Sequence, residues 1–303
     1  MLKKCLLIIN PKAGHKRICG ELVNVIQELN QAGYQTNVFI TSESENATYA
    51  ISTMTDESLV VCAGGDGTLQ QVVTGMEQYE KKAIVGYIPC GSTNDYATTL
   101  GLNKNIKKAI KAIVNGNVSE YDIGEFNTIT LDNQIITQHF VYIASFGKFS
   151  ATSYSTPQEI KNSFGHMAYV LNGLSELLDT KSYPVRIRID NSEEIEDEFI
   201  VGMVANTLSV GGIVKLDPAD VDLSDGVFEI VFIKQPKTLL EFNEIVDGLV
   251  IRNFSSPMFV YRKAHSVSCW FNEPVAWSLD GEESAASDYF KIENLNKQLS
   301  ILK

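Results

Sequence analysis

Four apolar runs, at residues 5–10, 34–41, 59–63 and 83–89, alternate with helical patterns through the first third of the chain, and few folds accept that alternation. The run 5–10 is continuously apolar up to Asn10, as a strand buried on both faces must be. Between 18 and 32, Ile18, Leu22, Val25, Ile26 and Leu29 recur at helical spacing, and the pattern stops at Gly33. Weaker helical spacing covers 46–55 and clearer spacing 68–76; a short helix over 106–114 is ended by Gly116. Strands alternating with helices imply a parallel sheet covered on both faces, with ligands bound beyond the carboxyl ends of its strands.

Near residues 122–124 the texture changes. Strand-like runs follow at 134–145, 183–190, 198–206, 227–234, 258–261, 265–271 and 275–279, interrupted by helical patterns at 165–178 and 237–251. The expectation is an α/β first domain over 1–124 and a mostly antiparallel β-sandwich over 125–295. A terminal strand within 296–303 is expected to return to the first domain.

Bulk properties narrow the function. With 44% hydrophobic residues in 303, the chain can bury substantial cores. No run of about 18 apolar residues is present, so no bilayer-spanning helix is expected. A net charge of −12 argues against nucleic acid. Five cysteines without a CxxC pair suit a reducing cytoplasm, and four histidines show no ligand spacing.

The chemistry concentrates where strands end. Gly64-Gly65-Asp66-Gly67-Thr68 stands at a strand-to-helix junction. Glycines there admit close backbone approach, and the free N–H groups of a helix start favour phosphate oxygens. Asp66 would repel bare phosphates and makes sense where Mg²⁺ bridges them. Two more loops of this kind follow neighbouring strands, Asn10-Pro11-Lys12-Ala13-Gly14 and Gly91-Ser92-Thr93-Asn94-Asp95; Asn94 and Asp95 are also expected to cap the next helix. Neither GxxxxGK[ST] nor GxGxxG occurs. The acidic run 217–227 invites an EF-hand reading, which fails because Asp225 stands where the loop requires glycine.

In order and spacing, Asn10-Pro11-x-x-Gly14, Gly64–Thr68 and Pro89-x-Gly91-Ser92-x-Asn94-Asp95 resemble the diacylglycerol kinase catalytic domain, in its soluble bacterial lipid kinase branch. Sphingosine and ceramide kinases are relatives of that branch, and NAD kinases share the GGDGT element. The likeness continues through 165–169, Ser224-Asp225-Gly226-x-Phe228 and Leu279-Asp280-Gly281-Glu282. Ser92 stands where the family usually has threonine, and Gln70 where asparagine is common.

The resemblance implies an ATP- and Mg²⁺-dependent lipid kinase acting on a diacylglycerol-like hydroxyl; an NAD kinase-like enzyme and a non-catalytic nucleotide-binding regulator are the alternatives. Nucleotide would lie at Asn10, Pro11, Lys12, Ala13, Gly14, Thr41, Gly64, Gly65, Asp66, Gly67, Thr68, Ser92, Asn94 and Asp95. Lipid would occupy the second domain, with the reaction in the interdomain cleft. Asp280 is implied as general base with Glu282 assisting; an Asp-Gly hairpin turn is the competing explanation for the pair. A structural Mg²⁺ is implied at Asp225 and the carbonyls of Asp222 and Val227. Expected partners are the lipid, a second copy as a homodimer, and a peripheral membrane contact from the cytoplasm. The contact is expected through Lys12, His15, Lys16 and Arg17, with Lys161.

Overall fold

The computed structural model describes residues 3–92, 94–129, 134–147, 181–192, 194–210, 214–216 and 221–303. The helix expected over 165–178, and Lys161, lie outside the described residues. The chain divides into two compact units, one of Met1–Ile123, His139–Val141 and Asn296–Lys303, the other of Gly124–Gln138 and Tyr142–Leu295.

The first unit is the expected α/β alternation: β1 (Lys3–Ile9), α1 (Arg17–Gln31), β2 (Tyr34–Ile40), α2 (Ala47–Ser52), β3 (Leu59–Gly64), α3 (Asp66–Gln78), β4 (Ile84–Pro89), α4 (Asp95–Thr99) and α5 (Ile106–Asn115). The strands are parallel in the order β2-β1-β3-β4. The chain's last residues extend the sheet, Ile301 lying opposite Val85 and Leu302 opposite Gly86, also parallel. The terminal segment therefore pairs with the first unit's sheet.

The course of the chain reverses at β1, with β2 on one side and β3 on the other, so the β1 and β3 carboxyl ends flank a topological switch point. Ile18, Val25 and Leu29 of α1 and Ile106, Ile110 and Ile113 of α5 are buried with Cys5, Leu7, Ile9, Val61 and Ala63 of the strands. α2 meets α3 at Gly75, where a side-chain carbon would fall 2.9 Å from Cβ of Ile51. Helix α3 starts two residues earlier than its apolar spacing indicates, at Asp66, because the residues ahead of Thr68 already take helical turns.

The second unit contains the later part of β5 (Val118–Ile129), most of β6 (Ile135–Phe140), β7 (Ile143–Gly147), β8 (Tyr183–Ile189), β9 (Ile195–Ala205), the short pair β10 (Ser209–Val210) and β11 (Val214–Lys215), and β12 (Phe228–Lys234). Helix α6 (Leu239–Ile251), β13 (Phe259–Ala264), β14 (Ser266–Val275), β15 (Ser278–Leu279), β16 (Glu282–Glu283) and most of β17 (Ser287–Leu302) follow. At the unit's centre β9 pairs antiparallel with β7, β8 and β12. α6 opens on a full capping box, Thr238 and Glu241 each accepting the other's N–H.

Several strand bounds differ from expectation; the runs 265–271 and 275–279, for instance, are β14 through Val275 and the two-residue β15. The run 134–145 is two strands, broken at 141–142. The terminal strand expected within 296–303 is the end of a 16-residue strand. β5 carries no apolar run in its first half, which hides it from a hydrophobicity reading.

The second unit's core is aromatic. The Phe146 ring lies 5.0 Å from both Phe271 and Trp277, 5.4 Å from Tyr183 and 5.8 Å from Phe232. Gly202 on β9 leaves the space that Phe146 fills, since a Cβ there would stand 2.2 Å from its ring. Phe146→Ala should therefore lower the unfolding free energy by about 3–5 kcal/mol. Urea denaturation checks this, with an unchanged midpoint as the contrary result.

Candidate active site

Backbone bonds carry the first unit's sheet past its strand ends and set three loops in line. Thr41 donates its N–H to the Ile9 carbonyl at 2.9 Å, Asn10 to Ala63 at 2.9 Å, and Cys90 to Gly64 at 2.7 Å. Asn10 then joins the first two loops: its Nδ2 donates to Thr68 Oγ1 at 3.1 Å and its Oδ1 accepts the Lys12 N–H at 3.0 Å. Pro11 and Ala13 shape the turn that follows, with Ala13 donating its N–H to the Asn10 carbonyl.

Two glycine positions make the loops converge. Gly14 has φ +48°, and a Cβ there would stand 1.8 Å from the Cys90 carbonyl oxygen. At the second crossing, a Cβ on Gly91 would fall 2.6 Å from Cα of Gly65. The loops after β1, β3 and β4 thus touch backbone to backbone. Gly65, at the N-cap of α3, has no side chain to accept the helix's first N–H groups, which suits them to phosphate oxygens.

Asp66 is 7% exposed and its carboxylate spans two loops. Oδ2 accepts the Asp95 N–H at 2.8 Å, and Oδ1 accepts the Tyr87 hydroxyl at 3.3 Å. Burial raises its pKa, the Asp95 charge adds to the rise, and the donors from Asp95, Tyr87 and Tyr96 oppose it. Capping accordingly differs from expectation. Asn94 stands at the N-cap of α4 with φ +52° but caps nothing. Its amide pairs with the Gly91 backbone in both directions, each bond 2.8 Å, and Asp66 supplies the cap from the neighbouring loop.

The remaining first-unit residues divide. Ser92 is exposed, and Thr93 lies outside the described residues. Lys12 pairs with Glu43 at 2.8 Å in full contact with water, where such a pair adds little stability. The side chains of His15 and Lys16 lie outside the described residues. Gln70 donates to the His139 carbonyl at 2.8 Å, so its longer side chain braces α3. Cys90 beside Gly14 is no ready nucleophile, since burial pushes its thiol up to about 11 against the opposing pull of Arg17. Tyr87 is a site residue that the sequence does not reveal: it reads as core, and no local pattern signals its hydroxyl between Asp66 and Asn94.

In the second unit, Asp280 and Gly281 have φ of +52° and +96° between β15 and β16, the left-handed pair of a tight hairpin. The turn reading is therefore correct, yet incomplete. An ordinary hairpin tip is exposed, whereas Asp280 is 3% exposed. Its Oδ1 accepts the N–H groups of Tyr142 and Ile143 at 3.1 and 3.0 Å, which fixes the carboxylate's orientation. Glu282, two residues on, is exposed.

The acidic loop is closed by its own hydrogen bonds. Asp222 accepts the N–H and hydroxyl of Ser224, and Asp225 accepts the Val227 N–H at 3.1 Å. Among the described residues no three His, Cys, Asp or Glu side chains gather as a metal cluster.

Residues 4–126 match the model of the diacylglycerol kinase catalytic domain, and 144–301 that of the YegS C-terminal NAD kinase beta sandwich-like domain. The chain belongs to the diacylglycerol kinase family. Among curated relatives, the diacylglycerol kinase of Bacillus subtilis is 32% identical over 93% of this chain and 90% of its own length. That of Staphylococcus carnosus is 30% identical over 93% and 89%. A crystal structure of a diacylglycerol kinase from Bacillus anthracis has a TM-score of 0.73 at 25% identity, covering 99% of this chain and 97% of that one. An NAD kinase from Archaeoglobus fulgidus, at TM-score 0.51 and 12% identity, shares the fold. A kinase of this family takes ATP as its nucleotide, and its relatives are named for a lipid substrate. No helix among the described residues is long and apolar enough to cross a membrane.

Burial predicts a conflict between stability and use at Asp66. Its folded-state carboxyl holds a proton more tightly than the ordinary value of 3.8 allows. The group therefore favours folding below that pH, and the contribution is lost as pH rises through its folded pKa. Asp66→Asn keeps an acceptor for the Asp95 N–H without the buried charge. At neutral pH and without Mg²⁺ its thermal midpoint should equal or exceed that of the wild type; a clear drop would contradict this account.

Proposed function

We propose that the chain transfers the γ-phosphate of ATP to the hydroxyl of diacylglycerol or a similar lipid. The observation that carries this reading is the convergence of three glycine loops on the α3 N-terminus, in a chain whose relatives at 29–32% identity are diacylglycerol kinases. The polyphosphate would lie against Asn10–Gly14 and Gly64–Thr68, with Ser92, Asn94 and Asp95 shaping the third side and Thr41 flanking. Asn94 works through the loop that it clamps.

The Asp66 carboxylate accepts from Asp95, Tyr87 and Tyr96 and still has lone-pair capacity, so it would fit Mg²⁺ carried in on the phosphates. When bound, that ion neutralises charge on the transferring phosphoryl group. Asp280 is the base. Backbone N–H groups hold its Oδ1, and Oδ2 takes the lipid hydroxyl's proton. The hydroxyl oxygen then bonds to phosphorus and the bond to the ADP oxygen breaks. Glu282, exposed on β16, would assist from the rim.

NAD phosphorylation is the second reading, and its support is fold alone at 12% identity. Purified protein supplied with ATP, Mg²⁺ and either a lipid panel or NAD separates the two by mass spectrometry of the products. Asp280→Asn should lower kcat on the preferred lipid by about 10²–10⁴-fold and leave the KM for ATP nearly unchanged. Unaltered turnover in a folded Asp280→Asn protein would remove Asp280 from the chemistry.

A further inference from the structure

Helix α5 carries its charge where a helix least favours it. Lys107 and Lys108 occupy its second and third positions, at the positive end of the macrodipole, and the first turn has no acidic residue. Lys111 follows on the same side one turn later, and Lys104 stands just before the cap Asn105. From 96 to 119 the sequence has these four lysines and no Asp or Glu, within a chain of net charge −12. All four are exposed, while Ile106, Ala109, Ile110 and Ile113 on the opposite side are buried. Exposed Arg17 opens the adjoining helix α1. With Glu21, Lys104, Asn105, Ile106 and Lys107 it lines a pocket of about 570 Å³. The pocket's single acid, Glu21, lies 3.5 Å from Lys107, whose side chain stays 62% exposed.

Core packing does not use Lys107, Lys108 or Lys111, and the helix dipole opposes the first two, so an external anion is their natural partner. We propose that the exposed face of α5, with Arg17, is a docking surface for an anionic lipid bilayer. The proposal rests on the reading that the substrate is a lipid. Surface potentials decay over about 8–10 Å in physiological salt, so a local block of cations outweighs the negative sum of the chain. Arg17 links the face to the first phosphate loop, since its Nη2 lies 3.4 Å from where a Cβ on Gly14 would stand.

The test uses the full-length protein and its Lys108→Glu/Lys111→Glu variant. Lys108→Glu supplies the acid that the first turn lacks, three residues after the Asn105 cap, so it does not weaken the helix. Both proteins are sedimented, without ATP, with phosphatidylcholine vesicles that contain or lack phosphatidylglycerol. Partition onto phosphatidylglycerol vesicles should fall by at least about 25-fold in the variant, given roughly a fivefold contribution from each lost cation at such a surface and added repulsion from each new carboxylate. The thermal midpoint should be unchanged or higher, and phosphorylation of detergent-dispersed short-chain diacylglycerol unchanged. Equal partition of the two proteins would overturn the docking surface whatever the kinase assay shows. Loss of binding to polyuridylate with vesicle binding intact would assign the face to nucleic acid and overturn the proposal. Absence of lipid phosphorylation by the wild type would overturn the lipid-kinase reading itself, a separate failure because the vesicle arm involves no catalysis.

Discussion

The Asp66 carboxylate accepts the Asp95 N–H across 2.8 Å, and through that bond the start of α4 is held against the start of α3. The parallel register of β3 and β4 brings the two loops to one level, with Gly64 opposite Pro89. The missing side chains at Gly65 and Gly91 let them touch. A lysine partner would neutralise Asp66 more completely and also occupy the carboxylate. Backbone and hydroxyl donors orient it while leaving lone pairs for a cation that arrives with the nucleotide. The cost of burial shows in its raised pKa, which is the kind of local destabilisation that functional sites retain.

Asp280 repeats this arrangement in the second unit with different parts. It too is buried and held by backbone N–H groups, here from the start of β7, and it sits in a left-handed turn conformation that the next residue, Gly281, shares. Hairpin geometry alone would turn the side chain to water. Two donors from Tyr142 and Ile143 hold it inside instead. The residues that bear the proposed chemistry therefore owe their positions to main-chain geometry, which sets side-chain direction within tight limits.

How far the sequence was legible follows from which forces leave a local trace. Parallel strands and amphipathic α1 and α5 do, because burial on two faces or one stripe writes its period into the chain. Glycine loops do as well, since backbone contact excludes side chains. The Tyr87 hydroxyl leaves none, because it lies in an apolar strand, and the inward turn of Asn94 is masked by its resemblance to an ordinary helix cap. Long strands such as Ser287–Leu302 were legible only at their apolar end. The first half of that strand alternates buried Phe290 and Ile292 with polar residues, and it is fixed by distant partners, as when Thr128 Oγ1 donates to the Tyr289 carbonyl. The α5 lysines and the helix start at Ile106 were both legible in the sequence; the structure adds that the lysines lie on an exposed face opposite buried Ile106, Ile110 and Ile113.

The central claim is that the loops after β1, β3 and β4 form one polyphosphate cradle. Amide hydrogen exchange of the full-length protein, with and without ATP and Mg²⁺, tests it most directly. The account predicts slowed exchange at the amides of residues 10–14, 64–68 and 91–95 together, with far smaller changes along α6. Protection confined to one loop, or centred outside these three segments, would contradict it.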